Sequence, residues 1–398
     1  MKVVIGLSGG VDSSVAAWLL KEKGYDVIAL FMKNWHDSTG VLKGDCPWDE
    51  DVLFAEMVAK KLKIPFHTVD LSEPYRKRVV DYMFDEYKKG RTPNPDVLCN
   101  REVKFDLFVE EAMKLGAEKV ATGHYSRIEE TKINGNTIYR LLSGKDQNKD
   151  QSYFLCQLSQ EQLSKAMFPI GEIDKPEVRM IAGREGLATA TRKDSQGICF
   201  VGKVDLPVFL QQKLSARKGS IVEIPVEHKK WNVFPEGIPN TELSDEQLKI
   251  LSSPYRYDPV DGFNVGEHNG AHFFTIGQRK GLNIGGKPEP LFVIHVDVET
   301  NTLYVGQGHE HPGLNRKGLF IPWGEDHWIR RDRKMKSGED AEMLVRIRYR
   351  QALQVARLYA RKDGIFIIFK DLQRGITPGQ FAAWYDKEEV IGSGVISE

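Results

Sequence analysis

The chain has 398 residues, 41% hydrophobic and 28% charged, which is enough to bury several cores and excludes a disordered chain. Its 56 Lys+Arg balance 56 Asp+Glu, so a general polybasic coat for nucleic acid is excluded and any such face must be local. Four cysteines do not make a disulfide scaffold at this length, no apolar run approaches the ~20 residues of a membrane helix, and strand-like residues begin at Val3; the expectation is a cytoplasmic protein without a signal or transit peptide and without a membrane partner.

The first half alternates short apolar runs with helical patterns. Lys2 to Leu7 reads as a buried strand and Ser13 to Lys23 as a helix ended by Gly24. Asp26 to Met32 is a second strand, Asp49 to Lys63 an amphipathic helix, and Pro65 to Leu71 a third strand. Ser72 to Lys89 is helical with Gly90 as its cap, Arg101 to Leu115 is a further helix, and Glu118 to Thr122 a further strand. This alternation predicts an α/β domain with a parallel sheet covered on both faces, binding ligands at the carboxyl ends of its strands. Beyond about residue 200, Gly, Pro and short β-like runs predict a small mixed middle domain and then a C-terminal β-barrel, with domains at 1–205, 206–308 and 309–398. Lys229 to Asn264 reads as a polar insertion, with Ser244 and Gln247 at capping-box spacing. Lacking any motif, it is expected to be dispensable for chemistry.

Ser8-Gly9-Gly10-Val11-Asp12-Ser13-Ser14 lies between the first strand and the first helix. Paired glycines let backbone approach phosphate, and the helix N-terminus offers unpaired N–H groups and a positive dipole end. The Lys of a Walker A loop is missing, and the string is not G-x-G-x-x-G. S-G-G-x-D-S is similar to the loop of enzymes that split ATP into AMP and pyrophosphate. That class contains both amide-forming ligases and sulfur-inserting enzymes.

The cysteines favour the latter. Thr92-Pro93-Asn94-Pro95-Asp96-Val97-Leu98-Cys99-Asn100 holds Cys99 in a proline-stiffened loop, with Asp96 three residues before it. Cys199 lies in a second polar loop, Asp194 to Phe200. Cys156, in the helical pattern Tyr153 to Leu158, is read as structural; Cys46, in Asp45-Cys46-Pro47-Trp48, is ambiguous, with the structural reading favoured. No metal site is read. From Pro312 to Lys362, 13 Lys+Arg stand against 6 Asp+Glu, a local +7, with Tyr349 among Arg346, Arg348 and Arg350. That pattern suits backbone phosphate contact and base stacking.

These motifs occur in order with Met32-Lys33-Asn34-Trp35, Ala121-Thr122-Gly123-His124-Tyr125, Lys149-Asp150-Gln151-Ser152 and Thr275-Ile276-Gly277-Gln278-Arg279-Lys280-Gly281-Leu282. Over nearly its whole length the chain resembles the bacterial tRNA-specific 2-thiouridylase (MnmA) family. The resemblance implies an ATP-dependent sulfurtransferase, with Mg2+ accompanying ATP, that acts on the wobble uridine of tRNA through an adenylated intermediate. It implies a persulfide on Cys199 received from an upstream sulfur-donor protein, Cys99 as its disulfide-forming partner, and Asp96 as general base. It assigns ATP binding to Gly6, Leu7, Ser8, Gly9, Gly10, Val11, Asp12, Ser13, Met32 and Gly123. It assigns tRNA contact to Asn94, Pro95, Asp96, His124, Lys149, Asp150, Gln151, Arg348, Tyr349 and Gln380.

Overall fold

The computed structural model describes residues 1–35, 47–194, 205–231 and 243–397. Cys46, Cys199 with the rest of the 195–204 segment, and residues 232–242 of the insertion lie outside the described residues.

The N-terminal strands are β1 (Lys2–Gly6), β2 (Asp26–Lys33), β3 (Phe66–Asp70) and β4 (Lys119–Ala121). A hairpin of β5 (Ser126–Ile133) and β6 (Asn136–Ser143) follows, then the short β7 (Ala166–Met167). The sheet runs β3-β2-β1-β4-β7 with every pair parallel. Val3, Val4 and Ile5 are wholly buried because helices cover both faces, which is why the strand reads as an uninterrupted apolar run. The chain runs outward from β1 to β3 and returns on the other side at β4, so the topological switch point lies between β1 and β4.

The middle domain is a four-stranded sheet ordered β10-β11-β8-β9, from β8 (Gly219–Glu223), β9 (Phe263–His268), β10 (Leu291–Asp297) and β11 (Thr302–Gln307). The C-terminal strands are β12 (Asn315–Pro322), β13 (Asp326–Trp328), β14 (Asp340–Arg346), β15 (Gln354–Arg361), β16 (Gly364–Arg374), β17 (Phe381–Asp386) and β18 (Glu389–Val395). The β5–β6 hairpin of the first domain extends this sheet: β6 pairs β18 at Leu142 and Glu389, and Ser143 N donates to Glu388 O at 2.8 Å.

The insertion is not a loose polar excursion. Its helix Asp245–Ser252 carries the expected capping box, Ser244 with Gln247. Leu243, Leu248 and Leu251 are buried against Phe320, Tyr359, Phe366 and Ile368 on the outside of the barrel. The sequence suggests a solvated surface because only one face of a short helix is apolar, and the surface it covers comes from strands about a hundred residues later.

Candidate active site

The phosphate loop follows β1 at the switch point. Gly10 caps the helix Val11–Glu22, and the loop is closed internally: Ser8 N donates to Ser13 Oγ at 3.2 Å and Ser14 Oγ donates to Gly10 O at 2.8 Å. Two glycines are obligatory. Gly9 has φ +75°, and a Cβ there would overlap the Asp51 carbonyl. At the end of β4, a Cβ on Gly123 would lie 2.6 Å from Ser13 N. The loop is thus packed closely against the residues after β4 and the helix that begins at residue 47, at the N-terminus of the helix Val11–Glu22, whose dipole end favours an anion. Met32 is buried at the end of β2, in the core beside the loop's strand.

An ionic network that sequence reasoning missed braces this loop. Lys175, buried at the start of the helix Lys175–Arg184, donates to both oxygens of Asp12 at 2.7 and 2.8 Å and pairs with Asp194 at 2.9 Å. Tyr125 Oη also donates to Asp12, at 2.7 Å. Asp194 further accepts from Lys149 at 2.7 Å and Arg179 at 2.6 Å. Partial burial alone would raise the Asp194 pKa; the Lys149 and Lys175 ammoniums outweigh it and hold the carboxyl well below the usual range. Arg192 donates to Gly9 O at 2.8 Å and Asp51 at 2.6 Å. Asp12 and Lys175 are 163 residues apart, so no local spacing signals the pair.

Cys99 is fully buried in the opening turns, Pro95–Cys99, of a helical run that continues through Asn100–Leu107 to Phe108–Lys114, so the helix expected from Arg101 starts six residues earlier. Pro95 occupies the first turn, and the Asn94 side chain caps the helix by accepting from Val97 N at 3.2 Å. Asp96 sits in the first turn and is partly exposed. Cys156 is also fully buried, and burial pushes its thiol up to about 12, as suits a structural cysteine.

The residues that the resemblance assigns to tRNA contact fall into different surroundings. Lys149 is half-buried in the Asp194 network. Asp150 is buried, accepting from Gly144 N and Ser152 N at 3.0 Å and pairing with Arg346 at 3.0 Å. Gln151 accepts from Tyr125 N at 3.0 Å. Tyr349 packs on Phe154 with ring centroids 4.4 Å apart and donates to Lys149 O at 3.4 Å. Arg348 donates to Gly375 O. His124 is buried between Phe105 and Phe168, with Nδ1 2.7 Å from Thr122 Oγ1; burial, aided by Lys104, holds its pKa well below the ordinary value, so the ring is neutral at pH 7. Within the basic stretch, Arg316, Arg330 and Arg346 are buried, and Arg330 pairs with Glu389 at 2.5 Å, so the exposed charge is smaller than the residue count suggests.

A phosphate cradle at the switch point of a parallel sheet, followed by a small β domain and a β-barrel, defines a multidomain nucleotide-binding protein of HUP type. Residues 1–203 match the tRNA methyl transferase HUP domain, 256–307 the tRNA methyl transferase PRC-barrel domain, and 322–396 the aminomethyltransferase beta-barrel domain. The chain is 59% identical over 396 residues to a tRNA-specific 2-thiouridylase MnmA of Christiangramia forsetii, covering 100% of both chains. It is 58% identical over 396 residues to that of Flavobacterium johnsoniae, again covering 100% of both. It therefore belongs to the tRNA-specific 2-thiouridylase family. Among solved structures, a 4-thiouridine synthetase–RNA complex with bound ATP is similar at 18% identity and a TM-score of 0.32, covering 53% of this chain and 50% of that one, a likeness too slight to bear on function.

Proposed function

We propose that the protein uses ATP, with Mg2+ accompanying it, to replace the C2 oxygen of the tRNA wobble uridine by sulfur. Uridine O2 attacks the α-phosphorus, and the bond to pyrophosphate breaks; Asp96 takes the uridine N3 proton. The terminal sulfur of a Cys199 persulfide, loaded by a donor protein, attacks C2 and expels AMP. Cys99 thiolate then attacks Cys199 Sγ. The sulfur–sulfur bond breaks, its electron pair stays on the sulfur at C2, Asp96 returns the proton to N3 to give 2-thiouridine, and a Cys99–Cys199 disulfide is left for a thiol reductant to reset. Because Cys99 is fully buried, its helix has to open as tRNA enters.

The observation that carries this reading is the glycine-rich loop between β1 and the helix Val11–Glu22 at the switch point, where Gly9 and Gly123 admit no side chain. The full-length similarity to named 2-thiouridylases supports the choice of sulfur over amide chemistry. The test is thiolation by purified protein supplied with ATP, a sulfide or persulfide source and unmodified tRNA, read by mass spectrometry of nucleosides. Release of AMP and pyrophosphate with appearance of 2-thiouridine is expected; ATP cleavage without 2-thiouridine would refute it. Cys199→Ser should lose sulfur loading, and Cys99→Ser should load sulfur on Cys199 but fail to turn over.

A further inference from the structure

Residues 308–314 join the middle domain to the barrel, running from the end of β11 to the start of β12. Side chains of the insertion cover this connector. Trp231 packs on His311 with ring centroids 5.2 Å apart, and on Tyr255 and Tyr257 at 5.2 and 5.8 Å. A Cβ on Gly313 would lie 3.0 Å from both the Trp231 ring and Tyr257 Oη, so these two aromatics press directly on connector backbone. Tyr257 continues onto the middle sheet, with its ring 5.3 Å from Tyr304 of β11 and 5.9 Å from His295 of β10. Lys230 ties this foothold together: Nζ donates to Arg256 O at 2.8 Å and pairs with Asp261 at 2.5 Å.

The second foothold is on the barrel. Leu248 and Leu251 of the helix Asp245–Ser252 meet Phe366 and Ile368, and Asp245 pairs with Arg361 at the end of β15 at 3.0 Å. Only six residues of chain lead from Leu251 to Tyr257, at most about 22 Å when fully extended, and Pro254 stiffens them. The barrel therefore cannot turn far about the connector without lifting one foothold. The first domain already holds the barrel through β6–β18 and touches the middle domain where Thr92 Oγ1 bonds Thr275 Oγ1 at 3.2 Å. The middle sheet and the barrel also touch directly, with Arg374 of β16 lying 4.8 Å over the Phe292 ring of β10. The insertion ties that side a second time.

We propose that the insertion is an interdomain clamp, which holds the middle domain and the barrel as one body so that the barrel meets tRNA in a fixed orientation. The proposal rests on the tRNA reading above for its consequence in affinity, while its structural content is independent of that reading. A barrel free to turn about residues 308–314 would have to be frozen each time tRNA binds, and the clamp removes that cost beforehand. Its footholds lie on the middle sheet and on the outside of the barrel, so it acts on affinity and not on the chemical step.

Three readouts on the full-length protein decide it, using Leu248→Asp, Trp231→Ala and the double variant. Leu248→Asp sets a carboxylate against Phe366 and Ile368 and should undock the helix. The first readout is hydrogen exchange at the connector amides of Gly313 and Leu314, which lie at the other foothold. In Leu248→Asp they should exchange roughly tenfold faster, whereas Ile250→Asp, on the exposed side of the same helix, should leave them within about twofold. The second is the Kd for unmodified tRNA, expected to rise roughly fivefold in either single variant as the lost preorganisation is charged to binding. The double variant should bind no worse than the weaker single one, because a clamp released at one end is already open. The third is the single-turnover thiolation rate at saturating tRNA, expected to stay within about twofold of the parent in all three. Unchanged connector exchange in Leu248→Asp, an unchanged Kd, multiplied Kd effects in the double variant, or a lost rate at saturation would each overturn the clamp. Should Trp231→Ala fail to fold, Leu248→Asp decides it alone through connector exchange and Kd. Should the parent protein fail to bind tRNA, the tRNA reading falls, and connector exchange still decides the clamp.

Discussion

Leu248→Ala tests whether the insertion helix is part of the barrel's packing. Leu248 is 0% exposed, in a cluster with Leu251, Phe366 and Ile368. Truncating a buried leucine costs about 2–5 kcal/mol; a site between a short helix and a sheet surface can partly collapse, which places the cost at about 2–3 kcal/mol. That energy acts on docking of the helix, not on global stability, because the cluster lies outside the barrel core. The assay is native-state hydrogen exchange over residues 244–253, where local opening is read segment by segment. Each 1.4 kcal/mol is a tenfold change, so protection should drop roughly 30- to 150-fold. Ile250→Ala, on the 45%-exposed side of the same helix, should change protection by no more than about twofold. Equal effects at both positions, or none at Leu248, would refute the docking argument. Replacing the insertion with a short linker should then uncover Phe320, Phe366 and Ile368 and raise binding of a hydrophobic dye.

Asp12→Ala should abolish tRNA-dependent pyrophosphate release while the protein stays folded, and undiminished release would remove the phosphate loop from the chemistry. Lys175→Met should destabilise the first domain at pH 7, by about 1–3 kcal/mol after allowing for the partly exposed carboxylates it leaves facing each other. The depressed Asp194 pKa means that the ion pair contributes above the unfolded carboxylate value and is lost as pH falls through the lower folded value. The difference between parent and variant should therefore shrink on acidification below about pH 4, and a pH-independent difference in acid titrations followed by near-ultraviolet circular dichroism would contradict it. Affinity for tRNA should fall steeply with salt, and a flat salt dependence would remove the phosphate contacts proposed for the barrel.

The parallel sheet was legible because strands buried on both faces leave a plain trace: Val3 to Ile5 and Val27 to Phe31 are continuous apolar runs, each followed by a helical period. The phosphate loop was legible because its chemistry is local in sequence, whereas the start of the Cys99 helix was not: Pro93 and Pro95 read as a stiffened loop, although Pro95 sits where a helix tolerates it, in the first turn. The β5–β6 hairpin was missed although it carried a signal. Asn134-Gly135 takes up positive φ at both residues, the two-residue turn that Asn-Gly favours, but the half-exposed strands around it, with Glu129, Glu130 and Lys132, hide the alternation. The Lys175 network and the Asp150–Arg346 pair were illegible for another reason. Lysine, arginine and aspartate are ordinary surface residues until a fold brings them together, and these partners are joined only by tertiary structure.

The β6–β18 junction makes the protein's first third responsible for completing its last. Ribosomes make the hairpin early, yet the strand that covers its outer edge carries Glu389, 249 residues after Arg140. At ~5–20 residues per second that leaves an unpaired strand edge for roughly 12–50 s of synthesis. Such an edge is a template for pairing with other chains, and charged side chains of the kind the hairpin carries, Arg140 on β6 and Arg127 and Glu129 on β5, discourage that. Of these, Arg127 later meets Glu388 and Arg140 meets Glu389, so charges present on the growing chain become ion pairs that close the finished one.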